Sequence, residues 1–184
     1  MSVPKDFGVE IDLRDRGDRL ILQHDPFKDG EDFEQYLKHY RCGTIILNIK
    51  SEGIEYSVLA LLKKYGIKKY FFLDSSFPMI YALTRAGHKE VALRFSEYES
   101  IETIMSMKNL AQWVWVDCFT TLPINAGNFK ILKDNGFNLC LVSPELQKQA
   151  EKIQQYKACL ESEKIYFDAI CTKLYNVDKW AENK

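Results

Sequence analysis

The chain has no CxxC pair, no glycine-rich GxGxxG turn, no excess of either charge and no apolar run of membrane-spanning length. Each absence excludes something. Five cysteines, an odd number spread from Cys42 to Cys171, exclude a disulfide framework or a cysteine zinc site. Cys118, Cys140 and Cys171 lie in or beside apolar runs and are expected as buried free thiols. A formal charge of -1, from 25 basic and 26 acidic residues, removes the electrostatic case for nucleic acid or an anionic membrane surface. No window is long enough for a transmembrane helix. Residues 1–10 lack the charged and apolar regions of a secretory signal. Together these absences predict a cytoplasmic protein. At 46% hydrophobic and 28% charged, the 184 residues suit one globular domain, residues 1–184, with a substantial core.

What is present is alternation. A short strand over residues 9–13 is followed by a turn at Arg16-Gly17-Asp18 and a return strand over residues 19–23 that ends at His24. Pro26 stops any continuation. Residues 31–40 carry Phe33, Tyr36, Leu37 and Tyr40 at helical spacing. Beyond them, β-branched or aromatic runs begin near Thr44, Lys69, Glu90, Trp113, Asn138 and Asp168, with helical patterns between. The spacing of roughly 25 residues is that of a β–α unit, and most of the runs are continuously apolar, as parallel strands covered on both faces require. Ser143-Pro144-Glu145 reads as the start of a long helix, and residues 177–184 as a polar tail. The class is α/β. Seven parallel-type strands count one fewer than a TIM (β/α)8-type barrel, so the expected fold is such a barrel, N-terminally short by about one strand. A doubly wound sheet stays open on the count, although its Gly-rich first turn is absent.

Polar residues fall at the C-terminal ends of the expected strands: Asp12, Lys50, Asp74, Arg94, Asp117, Ser143 and Lys173. Barrel enzymes draw their catalytic groups from such ends. The densest set lies in residues 8–50. Glu10 and Asp12 are two apart, on one face of a strand. His24-Asp25 closes the next run, and Asn48 and Lys50 are again two apart. Carboxylates suit a hard cation such as Mg²⁺ or Ca²⁺, a histidine suits general acid–base work, and a lysine suits a phosphate as a point charge. Each also has a plainer reading. The acids can face solvent on a half-exposed strand, the lysine can be solvated, and the histidine can be structural, as His39 and His88 in or near helices are expected to be. Taken together they point to metal-assisted phosphoryl chemistry.

The pattern Glu10-x-Asp12, His24-Asp25, Asn48-x-Lys50 resembles the glycerophosphodiester phosphodiesterase family of phospholipase C-like phosphodiesterases. That family has a TIM barrel with a strand-borne ExD, a following HD and a later ExK. The runs at residues 113–119, 138–146 and 168–176 look like the second half of the same barrel. The resemblance implies that Glu10, Asp12 and the residue at 48 hold a divalent metal. It also implies that His24 is one of two catalytic histidines and that Lys50 contacts the phosphate of a small phosphodiester or phospho-sugar ligand. Two departures are visible. Asn48 stands where the family has a carboxylate, and residues 1–7 carry neither the histidine nor the arginine of the family's first strand. The expected activity is hydrolysis of a glycerol- or sugar-linked phosphodiester, with self-association as one way to cover a missing strand. The alternative is a catalytically degenerate barrel that binds a phosphorylated ligand or a protein partner. An unrelated α/β enzyme is the third reading, marked by a failure of Glu10, Asp12, His24 and Lys50 to converge.

Overall fold

In the computed structural model, which describes residues 3–181, the chain divides after Val91 into two compact units. The last three residues of the expected polar tail lie outside the described residues.

The first unit runs β1 (Val9–Arg16), β2 (Arg19–Leu22), β3 (Glu31–Asp32), α1 (Phe33–His39), β4 (Ile45–Ile49), α2 (Glu55–Lys64), β5 (Tyr70–Leu73) and α3 (Phe77–Arg85). Its sheet has the order β3-β2-β1-β4-β5. Residues Val9–Leu13 of β1 pair in parallel with Ile45–Ile49, and β4 pairs in parallel with β5. The remainder of β1, Leu13–Arg16, turns back on Leu22–Arg19 as an antiparallel hairpin. Gly17 takes a φ of 64° in that turn, a conformation glycine adopts without steric cost. Gly8 is required for a different reason: a Cβ there would meet the Thr44 carbonyl oxygen at 2.4 Å, so only glycine lets β1 approach β4 at its entry. The core beneath the sheet includes Leu13, Ile45, Leu47, Phe33, Leu37, Val58 and Leu62, all at most 1% exposed.

The helix expected over residues 31–40 is shorter. Glu31 and Asp32 are extended and pair with Leu22 and Ile21. The Asp32 carboxylate accepts from Gln35 N, which starts α1 one residue later. The other helices of this unit follow their sequence signals closely. Ser76 caps α3 with a proline in its first turn, and Gly66, with φ 68°, follows α2.

The second unit runs β6 (Ala92–Phe95), α4 (Ile101–Ser106), β7 (Trp113–Val116), α5 (Ala126–Asp134), β8 (Asn138–Val142), α6 (Ile153–Ser162), β9 (Ala169–Cys171) and α7 (Val177–Trp180). Its four strands are all parallel, in the order β6-β7-β8-β9. Val114, Val116, Leu139, Cys140 and Leu141 are fully buried, which explains the uninterrupted apolar runs of β7 and β8. The long helix expected from Ser143-Pro144 is broken. A short 3₁₀ turn, Pro144–Gln147, ends at Lys148, whose backbone is left-handed, and α6 begins only at Ile153. The expected polar tail begins with the short helix α7.

The fold is therefore mixed α/β, with every expected strand start found within two residues. Among the described residues, however, the strands form two ladders and neither closes into a ring. The first ladder is mixed because the hairpin adds two antiparallel strands beside β1. All five cysteines are free. Cys118 and Cys140 are buried as expected, while Cys171 is only partly covered. Burial pushes the Cys118 thiol up to about 12. No helix among the described residues is long and apolar enough to cross a membrane.

Candidate functional site

The parallel register places Asp12 beside Asn48 and Asn48 beside Leu73. Paired residues in a parallel sheet project to the same side, and alternation adds Glu10 and Lys50 to that side. One face of the β1–β4 pair thus carries Glu10 near the start of β1, Asp12 and Asn48 side by side beyond it, and Lys50 just past the end of β4. The opposite face carries Val9, Ile11, Leu13, Ile45, Leu47 and Ile49. Alternation that looked ambiguous in the sequence is resolved by pairing, since the polar residues of two strands separated by 38 positions coincide in register.

The polar side chains interlock. Asn48 Nδ2 donates to Glu10 Oε1 at 2.9 Å. Lys50 Nζ donates to Asp74 Oδ2 at 3.3 Å and lies 3.6 Å from Asp12 Oδ1. The Lys50, Asp12 and Asp74 side chains are only 18%, 26% and 29% exposed, so the ammonium sits between two carboxylates in a largely covered position. The loop after β4 is fastened to the start of α3 by Ser76 Oγ, which donates to Glu52 Oε1 at 2.5 Å.

His24 is placed differently. Its backbone carbonyl accepts from Arg14 Nε at 3.0 Å, which anchors the exit of β2, while its side chain is 69% exposed. The ring meets its own neighbour, with Nδ1 2.9 Å from Asp25 Oδ1. The hydrogen bonds from His24 and Lys28 hold the Asp25 carboxyl down at about 2. A carboxylate that stays ionised only accepts, so Nδ1 carries the proton and Nε2 is left as the acid–base atom. Four of the five expected site residues are therefore brought together, and His24 presents its ring to solvent beside Asp25.

Asp74 joins the site without having been grouped with it from sequence. The available signal was its place as the first polar residue after β5, the strand next to β4. The remaining strand-end residues enter a network of their own in the second unit. Asp117, 1% exposed, pairs with Arg94, accepts from Gln147 Nε2 at 2.8 Å and from Cys118 N at 2.9 Å. Glu145 accepts from the hydroxyls of Ser143 and Thr172 and from Lys173 N, and Trp180 Nε1 donates to Ser143 Oγ at 2.7 Å. Sequence reading missed Gln147, Glu145, Thr172 and Trp180 because their decisive partners lie 27 to 37 residues away in the chain.

The donor set can be tested against a divalent cation. Only the nitrogen of an amide can face a carboxylate, so the bond to Glu10 fixes the Asn48 side chain and turns Oδ1 away. That oxygen is buried and has no hydrogen-bond partner, and an amide oxygen is among the donor types a hard cation takes. Lys50 supplies a positive charge between Asp12 and Asp74. Among the described residues, no three His, Cys, Asp or Glu side chains converge on one point. Oxygen donors are the type that Mg²⁺ or Ca²⁺ takes, while here the ammonium draws the Asp12 and Asp74 carboxylates to itself.

No protein-family model matches the chain, and no curated protein matches it by sequence. Its fold is similar to that of a glycerophosphodiester phosphodiesterase from Agrobacterium tumefaciens str. C58, with a TM-score of 0.60 over 89% of this chain and 82% of that one. The two are 13% identical. The likeness is one of fold.

Proposed function

We propose that this chain is a glycerophosphodiester phosphodiesterase-like protein with a (β/α)8-type barrel plan short of one strand, and that it hydrolyses a glycerol- or sugar-linked phosphodiester. The observation that carries the reading is the convergence of Glu10, Asp12, Asn48 and Lys50 on one face of two adjacent parallel strands. The fold likeness to the Agrobacterium phosphodiesterase supports it. Glu10, Asp12 and Asn48 Oδ1 are the oxygens that hold a divalent cation, and Lys50 contacts the phosphate through its ammonium. When bound, Mg²⁺ or Ca²⁺ stabilises negative charge on the phosphate oxygens. His24, its Nδ1 proton held by Asp25, gives or takes a proton at Nε2.

The test is hydrolysis of sn-glycero-3-phosphocholine with Mg²⁺ or Ca²⁺. His24→Ala and Glu10→Ala should each lower the rate on the order of 100-fold, the usual contribution of a positioned acid or base. A rate unchanged by both substitutions removes the assignment.

The second reading, a catalytically degenerate fold that binds a phosphorylated ligand or a protein partner, is favoured by the amide at position 48 and by the exposure of His24. Binding of glycerol 3-phosphate without turnover, unaffected by Mg²⁺ or Ca²⁺, selects it.

A further inference from the structure

We infer that the first unit carries a basic pole, at the end of its sheet opposite Lys50, that docks on an anionic lipid surface. The formal charge of -1 averages over an uneven distribution. Strands β1, β4 and β5 are parallel and start in register, with Val9 beside Ile45 and Ile45 beside Tyr70. Val91 then pairs in parallel with Phe72. The connections that lead into β4, β5 and Val91 (residues 38–44, 63–69 and 85–90) therefore arrive side by side at one end of the sheet. The first carries Lys38 and Arg41, the second Lys63, Lys64, Lys68 and Lys69, and the third Arg85 and Lys89. All eight cations are exposed, and Glu90 is the single acid within these segments.

Helix C-termini favour cations, which accounts for Lys38, Lys63, Lys64 and Arg85. It does not account for Arg41, Lys68, Lys69 and Lys89, which follow the helices. The second unit supplies an internal control. Its connections into β7, β8 and β9 also follow helices, yet they set Lys108, Lys133 and Lys164 against Asp134, Glu161, Glu163 and Asp168. Lys133 is paired with Asp168 at 2.8 Å. In the first unit Lys64 is paired with Glu34, while Lys63, Lys68, Lys69, Arg85 and Lys89 form no ion pair among the described residues. Unpaired like charges gathered at one end repel one another and gain from a polyanion.

The form of that polyanion follows from how the charges are presented. Gly66 and Gly87, with φ of 68° and 91°, make tight turns in two of the connections, so the cations stand on short turns and helix ends. Duplex reading presents a helix or ribbon to a groove, and single-strand binding presents a row of aromatic platforms. Six of the eight cations are lysines, point charges on flexible stems that suit a diffuse layer of lipid phosphates. Phe7, 40% exposed, stands at the entry of β1 beside them, its carbonyl accepting from Gly43 N at 2.7 Å. It gives the pole an aromatic ring for the headgroup layer.

The experiment is co-sedimentation of the full chain with sucrose-loaded vesicles of phosphatidylcholine alone, and of phosphatidylcholine and phosphatidylglycerol in equal parts. Each is run at low salt and at about 1 M NaCl, where screening acts within roughly 3 Å. The wild type should bind only the vesicles with phosphatidylglycerol, and should leave them at high salt. A cation near such a surface contributes on the order of fivefold in affinity, so Lys68→Glu/Lys69→Glu should weaken binding at least about 100-fold. Lys108→Glu/Lys179→Glu makes the same change of net charge in the second unit and should leave binding within about twofold of the wild type. Thermal unfolding verifies that both variants are folded. Equal loss in the two variants means that net charge alone governs binding and overturns the inference, as does the absence of sedimentation with phosphatidylglycerol at low salt. Fluorescence anisotropy with a labelled DNA duplex and a labelled RNA strand is measured in parallel. Nucleic-acid binding that Lys68→Glu/Lys69→Glu removes, without vesicle binding by the wild type, makes the pole a nucleic-acid surface and likewise overturns the inference.

Discussion

Asn48 Nδ2 donates to Glu10 Oε1 at 2.9 Å, joining the middle of β4 to β1. An aspartate at 48 replaces that donor with a second carboxylate in partly covered surroundings. Asn48→Asp should therefore destabilise the metal-free protein by about 2 kcal/mol at pH 7, from the lost charge-assisted hydrogen bond and the new repulsion. One carboxyl of the pair is then held protonated to higher pH than in the unfolded chain. The cost should shrink as pH falls toward 5 and grow as it rises. Urea unfolding of both proteins at pH 5 and pH 7 measures it, and an equal cost at the two values contradicts the repulsion.

Asp117 is almost fully buried at the end of β7, and its principal charge partner is Arg94 on β6. Removing one member of such a pair leaves a desolvated charge. Arg94→Met should cost on the order of 3–5 kcal/mol, while Arg94→Met/Asp117→Leu should regain a large part of it. The two denaturation curves, set against the wild type, give the comparison. A double variant no more stable than Arg94→Met means that the carboxylate is adequately held by Gln147 Nε2 and Cys118 N alone.

The legible parts of this protein are those set by local periodicity and turn chemistry. Alternation located Val9–Leu13 and the β4–β9 runs, because strand period and apolar burial are written in neighbouring residues. Glu10, Asp12, Asn48 and Lys50 were legible as site candidates because each pair is two apart on one strand. Their actual partners were not, since the Glu10–Asn48 bond and the Lys50–Asp74 contact depend on inter-strand register. The break after Pro144–Gln147 was hidden for the same kind of reason. Local signals favour helix there, but Gln149 Nε2 donates to the carbonyls of Cys118 and Phe119, and Lys152 Nζ to that of Thr120. These bonds draw the segment onto the loop after β7. Extending the first ladder with β2 and β3 likewise depends on a hairpin whose turn was visible and whose pairing reach was not.

That break makes Lys148 a point of stored strain, with φ 61° and ψ 28°. Glycine removes the steric cost but brings more unfolded-chain entropy, so Lys148→Gly should stabilise by only about 0.5 kcal/mol. A β-branched residue worsens the clash, and Lys148→Val should destabilise by about 1–2 kcal/mol. The opposite signs, read from thermal unfolding midpoints, are the test. Loss in both variants indicates that the lysine side chain itself stabilises the turn.

Glu145 joins the ends of β8 and β9, and its charge gives the second unit a pH dependence of known sign. Burial pushes its carboxyl up, but the Ser143 and Thr172 hydroxyls and the Lys173 N–H outweigh that, so the net shift is downward from 4.5. A depressed carboxyl contributes stability that is fully present above its unfolded value. That contribution is lost as pH falls through the folded value. Glu145→Gln keeps the size of the side chain and removes the charge that three donors share. It should lower stability by roughly 1–2 kcal/mol at pH 7, and the gap between wild type and variant should close as pH drops from 5 to 3. Urea unfolding followed by tryptophan fluorescence across that range reads it directly, with Trp180 bonded to Ser143 as a local reporter. A gap that persists at pH 3 shows that the glutamate acts through packing and not through its charge.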